Sequence, residues 1–147
     1  HPIMESLYLT DYQEKGVALE VTGSDSTELI RVDSQRFAQV MANLFSNALR
    51  HTPAGGKVHV RVLRQGVGTI VIEVIDNGEG IAPEHVKYVF ERYFRAKRSD
   101  SDDQSGSGIG LTISRALIEA QGGTLTAESA GLGKGAKFTI RLPLLSN

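Results

Sequence analysis

The sequence predicts an α/β two-layer sandwich, a mixed and mostly antiparallel sheet packed on about three helices. Three observations predict it. Residues 57 to 64 and 69 to 76 alternate apolar and polar side chains, as strands with one buried face do. Residues 34 to 51 and 109 to 121 instead repeat apolar side chains at helical spacing. The two patterns interleave along one chain without an internal repeat or a second domain.

Residues 17 to 22 (VALEVT) alternate and read as a short strand. GSDS follows as a turn, and residues 28 to 32 (ELIRV) read as another short strand. Asp33 then fits an N-cap for a helix over 34 to 51. On that helix Phe37, Val40, Met41, Leu44, Phe45 and Ala48 form one apolar face. The run TPAGG at 52 to 56 stops it. Strands 57 to 64 and 69 to 76 are joined by QGVG, a hairpin turn. Residues 84 to 94 read as helical. Residues 95 to 107 (RAKRSDSDDQSGS) carry almost no apolar side chain and read as a mobile loop. The helix over 109 to 121 ends at Gly122 and Gly123. Strands at 124 to 129 and 136 to 142 close the chain, separated by GLGKG.

Composition narrows the function. The chain has 147 residues, enough for one domain with a real core. Lys plus Arg is 16 and Asp plus Glu is 17, so the formal net charge is −1. That balance argues against bulk electrostatic binding to nucleic acid or an anionic membrane. With no cysteine there is no disulfide, thiol chemistry or Cys-ligated zinc. No apolar run approaches the ~20 residues of a membrane helix, and no signal peptide is visible. The start at His1-Pro2 reads as the edge of a piece excised from a longer chain.

Some residues are not explained by the fold. Arg36, Asn43, Asn47 and Arg50 share a narrow sector of the 34 to 51 helix. Asn43 and Asn47 are i, i+4 neighbours beside Val40. They are either a solvated stripe or two amide oxygens aimed at a ligand or a hard metal ion. Asn77-Gly78 looks like a hairpin turn, yet a helical pattern follows it. In the preceding strand Ile70, Ile72 and Val74 mark the even positions as the core face. Asp76 shares that parity and must point inward. A buried carboxylate needs a donor. Either strand pairing ends just before it, or a nearby backbone N–H caps it, or a ligand donates to it. The run Gly106-Ser107-Gly108-Ile109-Gly110-Leu111 is neither a P-loop nor a dinucleotide fingerprint. It enters a helix, and is either a flexible hinge or a place where free N–H groups favour phosphate. Arg92 and Arg95 lie three apart beside the predicted loop and could serve a phosphate. Gly133-x-Gly135 is weaker, because glycines between strands are common.

In combination these pieces are specific. Asn43-x-x-x-Asn47-Ala48, Asp76-x-Gly78-x-Gly80, the run FERYFR at 90 to 95, and Gly106-x-Gly108-x-Gly110 occur in that order. They resemble the N, G1, F and G2 boxes of the catalytic ATP-binding domain of bacterial two-component sensor histidine kinases. That domain belongs to a superfamily shared with gyrase-type topoisomerases, Hsp90 chaperones and mismatch-repair ATPases. The resemblance implies a Bergerat-type ATP-binding fold with a mobile ATP lid at 95 to 107. It implies that residues 7 to 147 are the ATP-binding domain and 1 to 6 the end of a linker. Departures are small: Ile109 stands where Leu is usual, Tyr93-Phe94 reverses a common order, and Ala136 follows Gly135 where Thr is frequent.

By the same resemblance, Asn47 would ligate Mg²⁺, with Asn43 assisting or contacting phosphate. Arg50 would contact the phosphates of ATP, and His51 would lie near the ribose or adenine. Asp76 would accept from the adenine amino group. Gly78 and Gly80 would leave room for the base, with Ile81 beside it. Arg95, with Arg92, would approach the terminal phosphate. Backbone groups of Gly106, Ser107, Gly108, Ile109, Gly110 and Leu111 would line the phosphate path. Asn43, Asn47, Arg50 and Arg95 are thus the expected catalytic set for a protein-histidine kinase.

The superfamily's hydrolases carry a Glu base where this chain has Asn43, which cannot take a proton. A neutral imidazole acceptor needs no such base. His51 lies in the expected site, and His59 and His85 read as surface residues. The phosphoacceptor is therefore expected on a separate dimerisation and histidine phosphotransfer domain of the same kinase. A downstream response regulator follows from the same resemblance. The isolated domain is expected to be cytoplasmic and monomeric, without nucleic-acid or membrane contact. The rival readings are a nucleotide-gated interaction module and an ATP-hydrolysing clamp.

Overall fold

In a computed structural model of the protein, residues 2–23, 34–91 and 110–143 are described. The expected strand at 28 to 32, the Asp33 cap and the 95 to 107 loop lie outside them. The chain order is α1 (Pro2–Lys15), β1 (Ala18–Gly23), α2 (Ser34–His51), β2 (Lys57–Gln65) and β3 (Thr69–Asp76). A 3₁₀ helix (Pro83–Tyr88), α3 (Gly110–Ala120), β4 (Thr124–Glu128) and β5 (Ala136–Pro143) complete it. The described strands form one sheet in the order β1-β2-β3-β5-β4. β1 runs parallel to β2, and the other pairings are antiparallel. This is the α/β sandwich that the alternating and helical patterns predict.

Strand parity builds the core. Val62, Ile72, Ile140 and Leu125 lie in one row across four strands, and Val60, Val74, Phe138 and Ala127 in the next. Helix α2 covers these rows with Val40, Leu44 and Phe45, all buried, and α3 adds Ile118. The third row is Val58, Asp76 and Ala136, so a carboxylate continues an apolar series. The opposite face carries charge: Arg61 and Lys137 flank Glu73 at 3.2 and 3.7 Å, and Lys57 pairs with Glu20 at 3.0 Å. The Lys57–Glu20 pair is exposed and contributes little stability.

Two elements differ from the sequence pattern. Helix α1 is an addition, and it passes residues 6 and 7 without a break. Its signal is faint because Tyr8 and Tyr12 face inward while Leu9 is exposed. Tyr8 stacks on Phe45 with ring centroids 4.2 Å apart, and Tyr12 meets the same ring edge-on at 6.3 Å. The second difference is the expected helix at 84 to 94, which is a 3₁₀ helix ending at Tyr88. Pro83 starts it, and i to i+3 bonds such as Val89 N–H to the Val86 carbonyl continue past it. Tertiary docking takes the next turn: the Phe90 carbonyl accepts from Thr112 Oγ1 at 2.7 Å, and its ring meets Phe138 edge-on.

The C-terminal end of α2 is closed by side chains as well as backbone. A helix leaves its last four carbonyls without intrahelical partners. Thr52 Oγ1 donates to the Ala48 carbonyl at 2.7 Å. Lys15 Nζ donates to the carbonyls of Leu49 (2.6 Å) and Arg50 (3.3 Å). Its positive charge also suits the negative end of the helix dipole. One turn earlier, the buried Tyr12 hydroxyl donates to the Phe45 carbonyl at 2.7 Å. Burial, then the charge of Asp76, pushes that phenol up, so it stays a donor.

Phe45 is fully buried between the α1 tyrosines and the sheet. Replacing Phe45 by Ala is expected to lower unfolding free energy by about 3–5 kcal/mol. Tyr12→Phe, which removes one hydrogen bond, should cost about 1 kcal/mol. Urea denaturation of both variants checks the order; equal losses would contradict it.

Candidate functional site

The C-terminal half of α2 carries Asn43, Asn47, Arg50 and His51, and its end meets the loop that follows β3. Asn47 is 7% exposed, so the asparagine pair is not a solvated stripe. Its Oδ1 accepts from Arg50 Nη2 at 3.2 Å. Asn43 is half-buried, and its Nδ2 donates to the Gly110 carbonyl (3.2 Å) and to Ser114 Oγ (3.0 Å). The amide thus ties α2 to the first turns of α3 by its nitrogen. Its oxygen is the polar atom left for another partner.

Asp76 is 6% exposed, as its parity requires. Its Oδ1 accepts from the Gly78 N–H at 2.9 Å, so the backbone cap is real. Burial raises the Asp76 pKa, while the N–H groups of Gly78 and Ala136 and the His51 ring pull the other way. The carboxylate is therefore costly to keep charged and gains from any further donor.

The loop after β3, residues 76 to 80 (DNGEG), is held on both sides. Asn77 exchanges bonds with the Lys57 backbone, its Oδ1 accepting at 2.8 Å and its N–H donating at 3.2 Å. Glu79 N–H donates to the His51 carbonyl at 3.0 Å, and His51 Nδ1 meets Glu79 Oε1 at 2.9 Å. On the other side, Gly135 N–H donates to the Gly78 carbonyl and Gly133 N–H to that of Glu79. A Cβ on Gly78 would collide with the His51 carbonyl, and one on Gly80 with that of Gly131. Both missing side chains therefore make room for backbone. Gly80 also has φ +74°, which favours glycine.

The structure joins His51, Asp76, Gly78 and Gly80 in one cluster and places Asn43 against Gly110. Ile81 and Leu111 are half-buried and pack on the core. Arg92, Arg95, Gly106, Ser107, Gly108 and Ile109 lie outside the described residues. His59 and His85 are half-buried rather than freely exposed, and His59 bonds Thr22 at 2.8 Å. Sequence reasoning gave no role to Glu79, Ser114 or Ser129. Ser129 Oγ accepts from Ile81 N–H at 3.0 Å. Glu79 stood in view inside DNGEG, but nothing in the sequence marks either serine. Among the described residues no cluster of His, Cys, Asp or Glu could hold a metal, and no helix is long and apolar enough to cross a membrane.

The family model described as histidine kinase-, DNA gyrase B- and HSP90-like ATPase matches residues 32–146. Sensor histidine kinase ZraS of Salmonella typhimurium is 33% identical over 141 residues, 96% of this chain and 29% of ZraS. Sensor histidine kinase RppB of Synechocystis is 42% identical over 108 residues, 74% of this chain and 23% of RppB. The chain thus spans less than a third of either relative. Among solved structures, full-length ShkA in complex with AMPPNP aligns over 99% of this chain and 29% of its own, with TM-score 0.83 and 27% identity.

The Asp76 environment sets a pH dependence. Its folded-state pKa is raised. As pH rises through the window between the unfolded and folded values, the unfolded chain loses the proton first. Stability at this site is then full below the unfolded value and falls as pH rises. Asp76→Asn has no such titration. Urea denaturation across the acid range should show wild type losing ground to Asp76→Asn as pH rises. A wild type gaining on the variant would refute the assignment.

Proposed function

The chain belongs to the histidine kinase-, DNA gyrase B- and HSP90-like ATPase family, in its sensor histidine kinase branch, and from that we propose that it binds Mg-ATP and transfers the γ-phosphoryl group to a histidine on a separate dimerisation domain. The observation that carries this reading is Asp76. A buried, raised-pKa carboxylate stands at a strand end beside the α2 terminus that carries Asn47, Arg50 and His51. Its Oδ1 is capped by Gly78, and an exocyclic amino group is a donor suited to the carboxylate's remaining acceptor capacity.

The residues present fit a magnesium ion delivered with nucleotide. Mg²⁺ prefers oxygen ligands and usually enters with substrate phosphates, not in an all-protein cage. Asn47 Oδ1 already accepts from a cation, the Arg50 guanidinium. Asn47 would hold the ion, and Asn43 would assist through its oxygen. When bound, the ion supplies charge neutralisation at the phosphates. Arg50 would then be released toward phosphate oxygens. Arg92, Arg95 and the backbone of Gly106, Gly108 and Gly110 belong to the same proposal.

Asn43 favours a histidine acceptor over water. Its amide cannot serve as a base, and its nitrogen is committed to α3. A neutral imidazole brings its own lone pair. The acceptor domain, the response regulator that would receive the phosphoryl group, and a cytoplasmic setting follow from this reading.

Asp76→Asn is expected to abolish Mg-ADP and Mg-ATP binding by titration calorimetry while the far-UV spectrum stays native. Unchanged affinity would remove Asp76 from base recognition. Incubating the wild-type chain with Mg-ATP and a separately produced cognate histidine domain should yield acid-labile phosphate on that domain and none on the chain itself. Nucleotide binding without labelling would point to an interaction module.

A further inference from the structure

Gly133-x-Gly135 is the one motif that the proposed site does not use directly, and the structure shows what holds it. The loop between β4 and β5 carries three glycines with positive φ: Gly131 (131°), Gly133 (77°) and Gly135 (74°). Such a run is entropically costly to order. It nonetheless supplies two donors to the Asp76 loop, Gly133 N–H to the Glu79 carbonyl at 2.7 Å and Gly135 N–H to that of Gly78 at 3.2 Å. The Ser129 side chain fixes its shape. Ser129 Oγ donates to the Gly135 carbonyl at 2.7 Å, with that of Gly131 farther off at 3.3 Å. It accepts from Gly131 N–H at 3.2 Å and from Ile81 N–H at 3.0 Å. A hydroxyl has one donor and two acceptor positions, and all three are in use.

We propose that Ser129 is a positioning residue for base recognition, setting where Asp76 stands relative to a bound purine. The inference rests on the reading of Asp76 as acceptor of an exocyclic amino group. The hydroxyl pins both ends of the 131–135 loop to each other and to Ile81. The pinned loop then braces Gly78 and Glu79 from the side opposite α2. Gly78 in turn donates to Asp76 Oδ1 at 2.9 Å. The chain of contact is Ser129, Gly135, Gly78, Asp76. A Cβ on Gly135 would collide with the Asp76 carbonyl, so the brace also touches Asp76 directly.

The test compares ADP with inosine diphosphate, which has a carbonyl where adenine has the amino group. A site built to hydrogen-bond one group discriminates strongly against an analogue lacking it. Wild type should prefer ADP. Ser129→Ala should narrow that preference by about tenfold, the worth of one well-placed hydrogen bond. Ser129→Thr, which keeps the hydroxyl, should restore it. Equal wild-type affinities for the two nucleotides would overturn the reading of Asp76. A wild-type preference that survives intact in folded Ser129→Ala, with both affinities falling equally or not at all, would overturn the role of Ser129 alone. If Ser129→Ala does not fold, amide exchange in the wild-type chain decides. The Ile81 and Gly131 amides should exchange slowly and slow further with ADP. Fast exchange, or no response to ADP, would overturn the proposal.

Discussion

Asp76 occupies a position in the sheet that every neighbouring row gives to an apolar side chain. Val58 stands on one side of it and Ala136 on the other. Keeping a carboxylate there requires donors, and the Gly78 N–H is one. For that N–H to reach back, the chain must turn at once after β3. The turn then runs between the end of α2 and the β4–β5 loop, closer to both than any side chain allows at positions 78 and 80. The hydrogen bonds from Glu79 to His51 and from Gly133 and Gly135 to the turn follow from that placement. The site is an outcome of accommodating one charge at a strand end.

Much of this was legible in the sequence because it depends on parity. The inward direction of Asp76 follows from Ile70, Ile72 and Val74, and the buried face of α2 from its apolar stripe. The partners of these residues were less legible. Asn43 reads as a ligand residue by spacing, yet its nitrogen serves a long-range link to Gly110 and Ser114, far along the chain. Gly78 and Gly80 read as space for a base, and the sequence does not show that a Cβ at either would meet the backbone of His51 or Gly131. Helix α1 has little legible pattern because its inward residues are tyrosines, whose contacts with Phe45 exist only once α2 is in place. The 3₁₀ helix has helical spacing, but Thr112 and Phe138 take the turn beyond it. In each case the missing information is tertiary.

Helix α1 connects to the site by donors as well as by packing. Tyr12 and Lys15 both donate to α2 carbonyls, and they do so in the half of α2 that carries Asn47, Arg50 and His51. A rotation of α1 would break bonds to the same helix that presents these side chains. The hairpin between β2 and β3 lies at the opposite end of the strands from Asp76. Its Val67 is exposed, and the Arg64 bond to the Val67 carbonyl is local to the turn.

The GLGKG loop also limits how this surface can vary. Gly131, Gly133 and Gly135 have backbone angles that other residues rarely adopt, and Gly135 has no room for a side chain either. Leu132 and Lys134 alternate with them and face outward, Leu132 at 64% exposure. Point mutation can therefore alter the chemistry of the outer rim at 132 and 134 while the inner side stays the same. Related chains could diverge in what they present to a neighbour here, through two positions, without disturbing Asp76. In mutational terms the loop is a fixed frame with two interchangeable faces.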